Sequence, residues 1–127
     1  MPTDLTIHLE NRPGSLAEVG EVLGSAGVNI EAMAGFGLDN HGRAHLVVDD
    51  ADTAKAALKD AGIEVKAERE ALAMTLENEP GTIGAYARIL ADRGINIEAA
   101  YLGGRSGNDL ELIVVIADTA SAPIPPE

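Results

Sequence analysis

Two short stretches of this chain carry residue types suited to holding a small zwitterion. Asn11-Arg12-Pro13-Gly14 and Asn78-Glu79-Pro80-Gly81 each follow an alternating apolar run and precede apolar residues at helical spacing. That order places each turn at a helix N-terminus, where amide N–H groups lack intrahelical partners and the helix dipole favours an anion such as a carboxylate. Proline suits the first turn of a helix, and glycine lets the backbone approach a ligand closely. Asn11 and Asn78 add donor and acceptor atoms that can serve both an ammonium and a carboxylate without adding charge. A second element, Asn29 or Asn96, follows the glycine that ends each helix and enters the next strand, so it lies at the opposite end of the helix from the turn. One copy alone does not readily close a pocket. Two copies side by side, with antiparallel second strands, would bring Asn96 towards Asn11 and Gly14, and Asn29 towards Asn78 and Gly81.

These stretches belong to an internal repeat. Leu9-Glu10-Asn11-Arg12-Pro13-Gly14 recurs as Leu76-Glu77-Asn78-Glu79-Pro80-Gly81, and Gly27-Val28-Asn29-Ile30-Glu31-Ala32 as Gly94-Ile95-Asn96-Ile97-Glu98-Ala99. Every matched residue lies 67 positions after its counterpart, as Pro80 does after Pro13. Such self-similarity sets the architecture before any local propensity does. Leu5, Ile7 and Leu9, and likewise Leu72, Met74 and Leu76, have the two-residue period of a half-buried strand. Leu16, Val19, Leu23 and Ala26, and Ile83, Tyr86 and Leu90, have helical spacing, ended by Gly27 and Gly94. Second strands are expected over 28–38 and 95–103, and third strands over 43–48 and 110–116. In the first copy Asp50 or Asp52 can cap a helix striped by Ala54, Ala57, Leu58 and Ala61, followed by a fourth strand over 63–67.

The order is βαββαβ, an α+β class in which two ferredoxin-like repeats each form an antiparallel sheet with helices on one face. Repeat 1 spans 1–69 and repeat 2 spans 70–127. The second repeat starts its last helix at Asp118-Thr119-Ala120, but Pro123, Pro125 and Pro126 cannot continue it, so a truncated βαββ with a Pro-rich tail is expected. Leu46-Val47-Val48 and Leu112-Ile113-Val114-Val115-Ile116 are apolar on both faces, which predicts a covered second face and a homo-oligomer, most simply a dimer.

Composition narrows the function. With 9 Lys plus Arg against 21 Asp plus Glu, the net charge of −12 repels nucleic-acid phosphates and anionic lipid, and the single Phe and absent Trp deny it stacking platforms. No apolar run has spanning length and the N-terminus lacks a signal pattern, so neither a membrane nor secretion is indicated, and the cytoplasm is expected. Cysteine is absent. No nucleophile–base or paired-carboxylate constellation is visible, so an enzyme is not expected, and no cofactor is implied. His8, His41 and His45 are scattered over two strands and a turn, while Asp49, Asp50 and Asp52 read as helix capping, which leaves a metal-responsive module or a purely structural oligomerisation adaptor as the alternatives. Gly35-Phe36-Gly37 reads as a bulge or a close-approach site, because no helix pattern follows it as a phosphate loop requires.

The strand, Asn-Arg-Pro-Gly turn, helix and Gly-Val-Asn-Ile sequence resembles the ACT domain, a small-molecule-sensing module attached to many enzymes of amino-acid biosynthesis. Asn11-Arg12-Pro13-Gly14, with Gly94-Ile95-Asn96-Ile97 and Ala100-Tyr101-Leu102, is similar to the serine-sensing ACT domain of bacterial phosphoglycerate dehydrogenase. The resemblance implies a free amino acid as ligand, bound at the interface between two repeats, and an amino-acid-metabolism enzyme as a partner. It implies ligand contacts from Asn11, Pro13, Gly14, Ser15, Leu16, Asn29 and Ile30, and from Asn78, Gly81, Thr82, Ile83, Asn96 and Ile97. Glu79 in place of Arg12 makes the two sites unequal in charge. Pocket depth near Met33, Ala34, Ala100 and Tyr101 would set side-chain preference.

Overall fold

A computed structural model of the chain describes residues 2–116, and the expected start of a final helix at Asp118 and the proline-rich tail lie outside them. The elements run β1 (Thr3–Glu10), α1 (Ser15–Ser25), β2 (Ile30–Leu38), β3 (His41–Val48), α2 (Ala51–Asp60), β4 (Val65–Glu70), β5 (Leu72–Glu77), α3 (Thr82–Asp92), β6 (Ile97–Ser106) and β7 (Asp109–Ile116). Contacts divide the chain into a unit of Thr3–Arg69 and a second unit that begins at Glu70 and takes in Pro2.

In the first unit the sheet order is β2-β3-β1-β4. β3 runs antiparallel to both β1 and β2, from Leu5 opposite Leu46 and from Met33 opposite Leu46. β1 and β2 are therefore parallel strands split by β3, the arrangement expected of βαββαβ. Alternation sends Leu5 and Ile7 of β1 and Ala44, Leu46 and Val48 of β3 to one face, where they pack with Val19 and Leu23 of α1 and Ala54 and Leu58 of α2. β4 stays with its own repeat beside β1, and the His8 N–H donates to the Glu64 carbonyl at 3.0 Å.

The second unit repeats this pattern with order β5-β7-β6 and β7 antiparallel to both neighbours. Leu72, Leu76, Leu110, Leu112, Val114 and Ile116 pack against Tyr86 and Leu90 of α3. Tyr86 stands where the first copy has Val19, and the larger ring fills this core among the described residues. On the other face of β7, Ile113 and Val115 are also buried, as is Val47 of β3 in the first unit.

The three helices among the described residues end in one hydrogen-bonding scheme. Gly27, Gly62 and Gly94 take φ of 74, 77 and 70°. The next residue's N–H then reaches back, from Val28 to the Leu23 carbonyl, from Ile63 to Leu58 and from Ile95 to Leu90, each at 2.9 Å. This is a Schellman closure, in which that residue also packs on the helix's last apolar side chain. Val28, Ile63 and Ile95 therefore belong to helix caps. The strands that follow begin two residues later than the apolar pattern suggests, at Ile30, Val65 and Ile97.

Candidate functional site

Each Asn-X-Pro-Gly turn turns a strand end into a helix start through a left-handed glycine. Gly14 has φ 89° and ψ −12°, and Gly81 has φ 90° and ψ −12°, both as the residue before their helix. An L side chain pays about 1–2 kcal/mol in that region, so both glycines are required by the backbone whatever else they contact. Neither helix has a side-chain cap. The Ser15 N–H bonds to the Arg12 carbonyl and the Glu18 N–H to that of Gly14; Thr82 to Glu79 and Ala85 to Gly81 repeat this. No side chain caps the amides between them, those of Leu16 and Ala17 and of Ile83 and Gly84.

Around the first turn, Asn11 is tied to the β2–β3 hairpin. Its N–H donates to the Asn40 carbonyl at 3.2 Å, and its Nδ2 donates to the Asp39 carbonyl at 2.8 Å. The carboxamide lies flat against Gly37, where a Cβ would meet its atoms at 2.6–2.7 Å. Gly37 is thus the close-approach site, and no bulge occurs there, since the pairing is regular from Met33 to Leu38. Ser15, buried, donates its hydroxyl to the Glu10 carbonyl at 2.6 Å and fastens the helix start to the end of β1. Arg12 bridges Glu18 at 3.0 Å and Glu10 at 2.9 Å. Those hydrogen bonds, Glu18 first, raise its pKa, so the guanidinium is a compensated charge and not an open anion receptor.

A recess of about 240 Å³ opens beneath this turn, lined by Asn11, Ser15 and Leu16 with Met33, Gly35 and Gly37 of β2 and Gly42 of β3. Its lining residues all belong to the first copy. The floor is small because of what stands opposite what. Gly35 pairs with Ala44, and Gly37 with Gly42, on the helix side of the sheet.

The other expected site residues of the first copy lie elsewhere. Pro13 and Gly14 form the turn itself. Asn29 is exposed at the far end of α1, its N–H held by the Asp49 carboxylate at 2.9 Å and its carbonyl accepting from the Asp49 N–H at 3.1 Å. That side-chain acceptor competes with the strand ladder, so Asn29 precedes β2 instead of entering it. Ile30 packs on the core. In the second copy Asn78, Gly81, Ile83 and Asn96 are exposed, Thr82 is half-buried and Ile97 packs on the core.

Around the second turn the backbone is repeated and the side chains are not. The Asn78 N–H donates to the Asn108 carbonyl at 2.8 Å, as Asn11 does to Asn40. Register places Leu102, Arg105 and Leu110 where the first copy has Gly35, Gly37 and Gly42. A register shift between Leu102 and Arg105 absorbs one extra residue at Gly103-Gly104, after which counterparts lie 68 positions apart, as Asp109 does from His41. A separate recess of about 260 Å³ is lined by Thr75, Gly104, Arg105, Ser106, Asp109, Leu110 and Glu111. By strand alternation Thr75 and Glu111 face away from the helix, so it is not the equivalent of the first.

The remaining polar groups have structural roles. Asp50 caps α2, accepting from the Thr53 N–H at 3.1 Å and its hydroxyl at 2.6 Å. His8 and His41 approach with ring centroids 5.3 Å apart, and His45 Nδ1 lies 3.0 Å from Asp4 Oδ2. No cluster of three metal-ligating side chains occurs among the described residues. No helix among them is long and apolar enough to cross a membrane.

Gly35 and Gly42 are the site residues that sequence reasoning missed. Their role depends on strand register, which repeat matching does not supply.

The chain matches the ACT domain pair family over residues 2–121 and belongs to that family. A protein from Bacteroides thetaiotaomicron, BT0572, is similar at 28% identity, over 94% of this chain and 82% of that one, with a TM-score of 0.84. The ligand-free regulatory subunit of aspartate kinase from Thermus thermophilus is similar at 18% identity, over 90% and 82%, with a TM-score of 0.71. The corresponding regulatory subunit from Thermus flavus gives 20% identity, 91% and 82%, and 0.67. At those identities the two kinase subunits show a shared fold. No curated protein matches the sequence.

Proposed function

We propose that this ACT domain pair is a non-catalytic regulatory module that binds a free amino acid and passes its occupancy to an enzyme of amino-acid metabolism. One observation carries the reading: beneath the Asn11-Arg12-Pro13-Gly14 turn lies an amino-acid-sized recess, beside helix amides that no side chain caps. Leu16 and Ala17 amides would hold the ligand carboxylate, and the Asn11 carboxamide oxygen, whose own N–H₂ is engaged with Asp39, would accept from the ammonium. The counterparts of this turn in the second copy are Asn78, Gly81, Thr82 and Ile83. The likeness to aspartate kinase regulatory subunits supports partnership with an enzyme, and the resemblance to the serine-sensing domain puts serine in the first set of ligands to test.

A thermal-shift screen of the free amino acids tests this, because a ligand bound only by the folded state raises the melting temperature, by an amount that grows with its concentration over Kd. At least one amino acid should shift it, and Asn11→Ala should remove the shift while the variant still melts cooperatively. Indifference to every amino acid, or a full shift in Asn11→Ala, overturns the reading.

A further inference from the structure

We propose that the first copy alone accommodates the ligand, and that its glycine-floored recess selects an amino acid with an extended apolar side chain, of the leucine or methionine class. The inference rests on the function proposed above and adds which repeat binds and what the side chain is.

Three observations support it. The volume of about 240 Å³ falls below the roughly 300–1,000 Å³ of sites for drug-sized molecules, which suits a single amino acid. Leu16 and Met33 are among the most exposed large apolar side chains of the described residues, at 46 and 36%, and both line this recess. An apolar ligand side chain laid between them would take their surfaces and its own out of water; a hydroxymethyl group would cover little of them. The floor is also open by construction. A Cβ at Gly35 would meet nothing closer than 3.9 Å, so the space above it is unfilled.

The second copy lacks the glycine floor. Leu102 and Leu110 occupy the positions of Gly35 and Gly42, and put branched side chains where the first copy has none. At its turn Glu79 stands in place of Arg12 and Ala85 in place of Glu18, and Arg105 stands across the ladder in place of Gly37.

Calorimetric titration of the full chain with serine, alanine, leucine, methionine and phenylalanine, followed by the same series on Gly35→Leu, provides the test. Each buried methylene tightens binding roughly fourfold. Leucine or methionine should therefore bind at least about tenfold tighter than alanine, with one ligand per chain. Gly35→Leu installs the second copy's residue and should abolish that binding while circular dichroism and the ligand-free melting temperature stay near the parent's. Gly35→Ala, whose Cβ has room, should fold normally and weaken leucine more than alanine. Serine or alanine binding as tightly as leucine, two ligands per chain, or unchanged leucine affinity in Gly35→Leu overturns this inference and leaves the function standing. Binding of none of the five overturns the inference as well. The function falls with it if the full amino-acid screen is also silent.

Discussion

The two Asn-X-Pro-Gly corners have nearly the same backbone and different surroundings. Gly14 and Gly81 agree within a degree in φ, and the backbone hydrogen bonds that close each turn, with the glycine-centred closure that ends each helix, are repeated. The side chains around them have drifted apart: Gly35, Gly37 and Gly42 against Leu102, Arg105 and Leu110, and Val19 against Tyr86. The contrast extends to the helix-free face. There Asp4, Thr6 and His45 share a buried network, with Thr6 donating to Asp4 at 2.8 Å, while the second copy has Ala71, Ala73 and Ile113 in those places. Duplication has thus kept what the chain needs to turn corners. It has released what fills or opens the space between them.

The largest expected effect probes the cores. Tyr86→Ala should destabilise the protein by about 3–5 kcal/mol, as loss of a buried aromatic ring does, and Val19→Ala by about 2 kcal/mol, both read from urea unfolding midpoints. Equal losses would mean that the second core does not depend on its larger ring.

Gly14→Ala and Gly81→Ala come next. Each should lose about 1–2 kcal/mol by forcing a Cβ into the left-handed region, and the two losses should match. A clear inequality in the same unfolding experiment would show that surroundings and not backbone set the cost.

The smallest effect concerns a cap described in the first copy alone, since its sequence counterpart Asp118 lies outside the described residues. The hydroxyl and N–H of Thr53 lower the Asp50 pKa. A carboxyl depressed in the folded state contributes stability above its unfolded pKa and loses it as pH falls through the folded value. Asp50→Asn should therefore lower the melting temperature by at most a few degrees at neutral pH, and the difference from the parent should shrink once pH drops below the usual carboxylate range. A gap that persists in strong acid would show that the charge plays no part.

What could be read from the sequence follows the same division. The βαββ order, the turns and the helix-ending glycines were legible because each is fixed within a few residues. Strand starts were misplaced because Val28, Ile63 and Ile95 carry the apolar pattern yet spend their N–H groups closing the preceding helix. Asn29 looked like a strand residue until Asp49, from the end of β3, claimed its amide. The recess was the least legible feature. Gly35 and Gly42 matter only because of what lies across the ladder from them, and Leu110 is recognised as the counterpart of Gly42 only once one added residue in β6 has been located.

That added residue also bears on how repeats diverge. Side chains alternate along a strand, so an insertion in the middle of β6 would ordinarily turn every later residue inside out. Held as a kink at Gly103-Gly104, it leaves Arg105 facing the same way as Gly37 and the hairpin tip still joined to the Asn-bearing loop. Length change was thereby uncoupled from orientation, which left one duplicate free to close its cleft without unmaking its sheet.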